Sequence, residues 1–333
     1  MKKITSILIF VTAIGCGLAV GYGATRVITF TYKNATVYAS ELKMNLQSKK
    51  LTVERALGGP EVEPGAKTKI TPFSSNQTIG QYFRSLIVKS SAKDPSVSAL
   101  SYLVADLKTG TVLVSKNTNL QIPIASVTKL MTAVVADETL GLDTRTTITS
   151  DVINTYGTQG ELKTGEKYSV LDLFYPLLLE SSNDAAEALA STKNRTKFIS
   201  DMNAKAQTLG LIHTSYEDAS GLSPNNTSTV SDLFKLAQYI SNYRKYIFEI
   251  SVEKEKDLGK KTWFSNSRFR SDSEYVGGKN GYTDEALKTQ VVLFDENFDG
   301  ETRTIAYIIL RSTDVSSDVK NLRNFVHVNV EYK

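Results

Sequence analysis

Two side chains three positions apart carry the first chemical signal in this sequence. Ser126 and Lys129 stand in the run Ala125-Ser126-Val127-Thr128-Lys129-Leu130-Met131-Thr132-Ala133, just after Pro123. Leu130, Met131, Ala133, Val134 and Val135 continue without Gly or Pro, so a helix is expected to start here. Residues three apart share a helical face. The hydroxyl and the amine then meet at a helix N-terminus, whose free N–H groups favour developing negative charge. A serine is a weak nucleophile until a neighbour takes its proton, and Lys129 is the base within one turn. To act, the amine must be uncharged. A free lysine titrates near ~10.4, and bringing it to ~7 costs ~4.6 kcal/mol at ~1.36 kcal/mol per unit. Burial and a nearby positive charge are the available causes. The chain must therefore supply a dry cleft and a second cation.

Two further stretches supply candidates. Glu180-Ser181-Ser182-Asn183-Asp184-Ala185-Ala186 is a polar break between apolar helical segments. Ser181 is placed to relay a proton toward a leaving group, and Asn183 to hold a substrate amide. The bland alternative is a capped interhelical turn. Gly277-Gly278-Lys279-Asn280-Gly281-Tyr282-Thr283-Asp284-Glu285-Ala286 precedes an expected strand. Its glycines permit close approach of backbone to a ligand, and Lys279 is the candidate second cation. Alone, such a stretch is an ordinary glycine-rich hairpin.

The elements that must position these groups are legible from periodicity. Residues 100–107 and 111–115 read as a strand pair around Lys108-Thr109-Gly110. Helical patterns cover 170–180, 184–190, 197–209 and 231–243, and Gly210 is a fitting helix stop. Residues 275–277, 287–294 and 302–310 read as strands, and Val315, Val319, Leu322 and Val326 place an apolar stripe on a last helix. Strands at both ends with helices between them imply a sheet assembled from distant parts of the chain. Ahead of this lie residues 27–94, read as a linker or stalk, with a helix expected over 77–90.

The chain has 333 residues, 41% hydrophobic and 22% charged, with a net charge of +4 and no long basic run. That is a globular composition and argues against nucleic acid as a partner. One cysteine, Cys16, and two histidines, His213 and His327, leave no internal disulfide, no metal site of ordinary ligand count and no serine–histidine triad. Met1-Lys2-Lys3 is followed by 21 uncharged residues, Ile4 to Ala24, about 31 Å of helix, enough to cross a bilayer core. Residues 1–26 are thus expected to be a membrane anchor or a cleaved signal peptide, and either places the remainder outside the cytoplasm.

Taken together, Ser-x-x-Lys, Ser-x-Asn and Lys-x-Gly occur in that order, separated by roughly 50 and 100 residues. This resembles the penicillin-recognising serine hydrolases, and more narrowly the low-molecular-mass penicillin-binding proteins, the D-alanyl-D-alanine carboxypeptidases of peptidase family S11. The likeness extends over about Pro95 to Val328 and includes Asp106 with Thr109-Gly110, Gly165-Glu166, Met202-Asn203 and Ala219-Ser220-Gly221-Leu222. It implies an α/β (α+β) fold, an antiparallel sheet covered by helices with a helical subdomain, over residues 95–333. It also implies the roles. Ser126 would form an acyl-enzyme with a peptidoglycan stem peptide, Lys129 would be its base, and Ser181 would pass a proton to the departing D-alanine. Asn183 would position substrate, and Lys279, Asn280, Gly281, Tyr282 and Thr283 would bind it. Lys279 would lower the pKa of Lys129 and attract the terminal carboxylate. The N–H groups of Ser126 and Tyr282 would form the oxyanion hole. No metal or organic cofactor would be needed, and β-lactam antibiotics would acylate Ser126.

Two departures qualify the resemblance. Asn280 stands where the family usually has threonine, and no arginine occupies 314–320, where many relatives grip the terminal carboxylate; Arg311 is the nearest. Altered carboxylate recognition would favour endopeptidase action on cross-links. A β-lactamase-like hydrolase is a competing assignment, for which Glu166 is a poor deacylating residue. A cell-wall binding protein with weakened catalysis is a third.

Overall fold

Five strands of apolar or alternating sequence pair side by side into one antiparallel sheet. The computed structural model that defines them describes residues 85–333 except 154, 158 and 260, all within one unit, Thr78–Lys333. The strands are β1 (Ser101–Asp106), β2 (Val112–Lys116), β3 (Tyr275–Thr283), β4 (Leu287–Phe298) and β5 (Glu301–Ser312), ordered β3-β4-β5-β1-β2. β1, early in the described residues, pairs with β5, near their end, with Ile308 opposite Leu103 and Tyr307 opposite Val104. Successive side chains of a strand face opposite ways, and here each way is a core. Leu103, Ala105, Val291, Leu293, Ala306 and Ile308 pack under the helical layer. Tyr102, Val104, Val292, Phe294, Ile305 and Tyr307 pack on the other face.

The helices are α1 (Lys129–Leu140), α2 (Val170–Leu179), α3 (Asn183–Ser191), α4 (Arg195–Thr208), α5 (Val230–Tyr243), α6 (Tyr246–Val252) and α7 (Val315–Asn329). Local chemistry sets several starts. Ser169 and Asp172 form a reciprocal capping box on α2, and Ser182 caps α3 by accepting from the Ala185 N–H at 3.1 Å. Val315, Val319, Leu322 and Val326 of α7 are all buried on the second core, as their spacing predicts.

Two expectations are corrected here. Over Leu86–Val88 the chain is a strand, not a helix, and it pairs antiparallel with Val330–Tyr332. Leu86 is buried and Ile87 exposed, a period of two that a helical reading misses. The strand read over 275–277 runs on to Thr283, so the glycine-rich stretch that precedes β4 lies largely inside β3, at the edge of the sheet. The anchor or signal peptide read over 1–26, and the linker up to residue 84, lie outside the described residues. Among the described residues no helix is long and apolar enough to cross a membrane.

Candidate active site

Ser126 sits in a tight 3-10 turn, Ala125–Thr128, that leads into α1. Ala125 holds the left-handed conformation at φ +48°, which is unfavourable for a residue with a side chain and persists only where surroundings enforce it. Two neighbours do so. The Thr289 hydroxyl donates to the Ile124 carbonyl at 2.9 Å, and Gly221 lies so close that a Cβ there would be 2.0 Å from the Ala125 oxygen. The turn presents Ser126, half-buried, to a cleft of about 660 Å³.

Lys129 begins α1 and is fully buried. Its Nζ lies 2.9 Å from Ser126 Oγ, 2.7 Å from Asn183 Oδ1 and 2.5 Å from the Ser220 carbonyl. The Asn183 orientation is fixed because its Nδ2 donates to the Tyr156 carbonyl at 2.6 Å. Ser220 is held by a loop wound around Asp218, whose carboxylate accepts from the N–H groups of Ser220, Gly221 and Ser223 and from Asn226 Nδ2. Neither the Asn183 nor the Ser220 oxygen can donate. An uncharged amine gives one N–H to each and keeps its lone pair for the Ser126 proton. Burial lowers the Lys129 pKa to about 7, against the opposing pull of Asp218 and Glu187.

The facing wall is β3. Lys279 is buried there, and its Nζ donates to the Asn280 carbonyl at 2.8 Å and to Asn280 Oδ1 at 3.3 Å. Burial, and after it the charge of Lys129, push the Lys279 pKa well down. Lys279 thus feels the charge of Lys129. However, the expectation that Lys279 is what depresses Lys129 is corrected: burial is what lowers Lys129, and it is the larger cause at Lys279. Gly281 has no room for a side chain, since a Cβ would meet Thr289 Oγ1 at 2.6 Å and the Ser126 nitrogen at 2.8 Å. The strand backbone therefore runs directly beside the serine N–H. Tyr282 is exposed, its hydroxyl donating to Asp284 at 2.9 Å. Thr283 lines the cleft while its Oγ1 accepts from the Ala286 N–H at 3.1 Å and closes the turn to β4.

Ser126, Ser181, Asn183, Asn280, Gly281, Tyr282 and Thr283 all line this one cleft, with Lys129 and Lys279 buried beneath it. Ser181 is held at φ +64° between α2 and α3. Sequence reading missed Tyr156, Glu180, Asn266 and Arg268, which also line it. Arg268 has no ionic partner among the described residues. Arg311 is elsewhere, donating to the Glu285 carbonyl at 2.6 Å. Glu166 lies outside the cleft, where its carboxylate accepts from the Lys163 N–H at 2.8 Å and from Tyr168 at 3.0 Å and pairs with Lys261.

Known proteins share this sequence pattern and this fold. The family model for peptidase S11, D-alanyl-D-alanine carboxypeptidase, matches residues 88–309. A D-alanyl-D-alanine endopeptidase of Pseudomonas aeruginosa is 35% identical over 198 residues, covering 56% of this chain and 64% of that protein. D-alanyl-D-alanine carboxypeptidase DacB2 of Mycobacterium tuberculosis is 35% identical over 211 residues, 59% of this chain and 70% of that one. The crystal structure of the Streptomyces K15 DD-transpeptidase superposes with a TM-score of 0.64 at 28% identity, over 71% of this chain and 99% of the other. Against the Pseudomonas relative the chain spans less than two thirds of the length.

Proposed function

The chain belongs to the D-alanyl-D-alanine carboxypeptidase family of serine peptidases, and from that membership and the site geometry we propose that it hydrolyses the D-Ala-D-Ala end of peptidoglycan stem peptides through an acyl-enzyme. The observation that carries the proposal is a fully buried amine 2.9 Å from a cleft-facing serine hydroxyl, with a pKa of about 7.

The steps follow from the placement. A stem peptide lies along the free edge of β3, where unpaired backbone groups accept an added strand. Ser126 Oγ attacks the carbonyl of the penultimate D-alanine as Lys129 Nζ takes its proton. The oxyanion is met by the N–H groups of Ser126 and Tyr282, each such donor contributing ~3 kcal/mol. The Lys129 proton passes by way of Ser181 to the leaving nitrogen, and free D-alanine departs. Water then attacks the ester, giving its proton back through Lys129, and releases the shortened peptide and the serine hydroxyl. Penicillins enter at the same carbonyl position and remain on Ser126. Glu166, engaged outside the cleft, offers no base for rapid release of that adduct, so slow nitrocefin turnover is expected in place of β-lactamase activity.

A second reading, endopeptidase action on cross-links, is supported by Arg311 being turned to the Glu285 carbonyl and by the name of the Pseudomonas relative. On either reading Arg268, which has no ionic partner among the described residues, is the cation for an anionic substrate group. The site is assigned to the outside of the cytoplasmic membrane, held there by residues 4–24, with the part of 27–94 ahead of the Leu86–Val88 strand as a stalk. Deleting 1–26 should move the protein from the membrane to the soluble fraction. The activity test is labelling with fluorescent penicillin. We expect a label lost in Ser126→Ala, and D-alanine release from a pentapeptide. Absence of label on the intact protein would leave only a cell-wall binding role. Faster cleavage of a cross-linked dimer than of the pentapeptide would select the endopeptidase reading.

A further inference from the structure

Glu180 ends α2 one residue before Ser181, and its carboxylate reaches two separate stretches of backbone. Oε2 accepts from the Gly160 N–H at 2.8 Å and Oε1 from the Phe264 N–H at 2.9 Å. Bonds from backbone N–H to a carboxylate are stronger than those between neutral groups. Gly160 is gripped on its other side too, since its carbonyl accepts from the buried Trp263 Nε1–H at 2.9 Å. Gly160 stands at φ +89°, and a Cβ there would be 2.6 Å from Ser182 Oγ. That backbone therefore sits directly against the Ser181-Ser182-Asn183 turn. On the Phe264 side, the Asn266 N–H donates to the Leu179 carbonyl at 2.9 Å, which places Asn266 and Arg268 on the lip of the cleft.

These contacts lead to the reacting groups. The Tyr156 carbonyl, four residues before Gly160, accepts from Asn183 Nδ2 and thereby aims Asn183 Oδ1 at Lys129 Nζ. We propose that Glu180 is a positioning residue: by clamping the backbone at Gly160 and at Phe264 it fixes the peptide that orients Asn183, and through Asn183 the base. It touches neither Ser126 nor Lys129 and reaches the base through Asn183, so its larger effect falls on the chemical step, with a smaller one on the capture of ligand by way of the Phe264 side. The inference rests on the reading that Ser126 is the acylated nucleophile.

The test is the kinetics of acylation by a penicillin, resolved into the dissociation constant of the first complex and the rate constant of acylation. Glu180→Gln turns an amide donor toward one of the two N–H groups and loses that bond. Its acylation rate constant should fall about 10-fold, and that of Glu180→Ala about 100-fold, the size expected when a catalytic group is misplaced by an ångström or less. The dissociation constant should change by a smaller factor than the rate constant, and the folded fraction, measured by circular dichroism, should stay near that of the intact protein. Trp263→Phe removes the other grip on Gly160, so combined with Glu180→Gln it should cost less than the product of the two separate losses. If the intact protein is not acylated, the proposed function fails and not the clamp. If it is acylated and Glu180→Gln reacts at the same rate, or loses rate only in proportion to unfolded protein, or loses affinity alone, the clamp is overturned.

Discussion

The two buried amines of the site are held in opposite ways. Lys129 meets oxygens from three parts of the chain, Ser126, Asn183 and Ser220, and has the carboxylates of Asp218 and Glu187 near enough to resist its loss of charge. Among the described residues Lys279 bonds only to its neighbour Asn280, and the charge it feels is the repulsion of Lys129. Both are desolvated, but only on the helical side does an opposing field balance the burial, so Lys129 comes to rest near neutrality while Lys279 is driven well down. The contrast separates two tasks. A base must exchange its proton at working pH, and Lys129 is balanced to do that. Lys279, with no carboxylate to oppose its burial, has no such balance.

That contrast can be broken by replacing each amine in turn. Lys129→Met should lower penicillin acylation about 1,000-fold, within the range of a lost general base. Lys279→Met should cost less, and it should leave the acid limb of the pH–rate curve where it is, because Lys279 is itself driven toward its neutral form and burial sets the Lys129 pKa. Equal losses in the two variants would mean that the amines share one task.

The wall carrying Lys279 should be more sensitive in its backbone than in its side chains. Gly281→Ala would drive a methyl group toward the Ser126 nitrogen, 2.8 Å away, and acylation should fall about 100-fold, the loss of an oxyanion donor. The smallest expected effect is Asn280→Thr, which restores the usual family residue. It removes one 3.3 Å contact with the Lys279 amine and should change the acylation rate by no more than about fivefold, the worth of one ordinary hydrogen bond.

What is legible in the sequence follows the same division. The Ser126 and Lys129 spacing, the Ser-x-Asn break and the strands of the sheet can all be read from local pattern, because each is a matter of period or of neighbours in sequence. The apolar stripe from Val315 to Val326 falls on α7 as spaced. What escapes reading is contributed by backbone or by loops. The third oxygen on Lys129 is a main-chain carbonyl at Ser220, which any residue could supply. Arg268 and Asn266 reach the cleft from the stretch after Phe264, which has no period to read. Glu180 reads as the last residue of an apolar helix, since its two partners are 20 and 84 positions away. The strand at Leu86–Val88 reads as helix because its partner, Val330–Tyr332, is at the far end of the chain.

The central claim is that Lys129 is uncharged near neutral pH and serves as the base for Ser126, and the pH dependence of penicillin acylation tests it most directly. Because the neutral amine is the active form, the rate constant should rise with pH and level off, with a midpoint at about 7, and Lys129→Met should lack that limb. A midpoint near ~10.4, where an exposed lysine titrates, or a limb that survives in Lys129→Met, would contradict it.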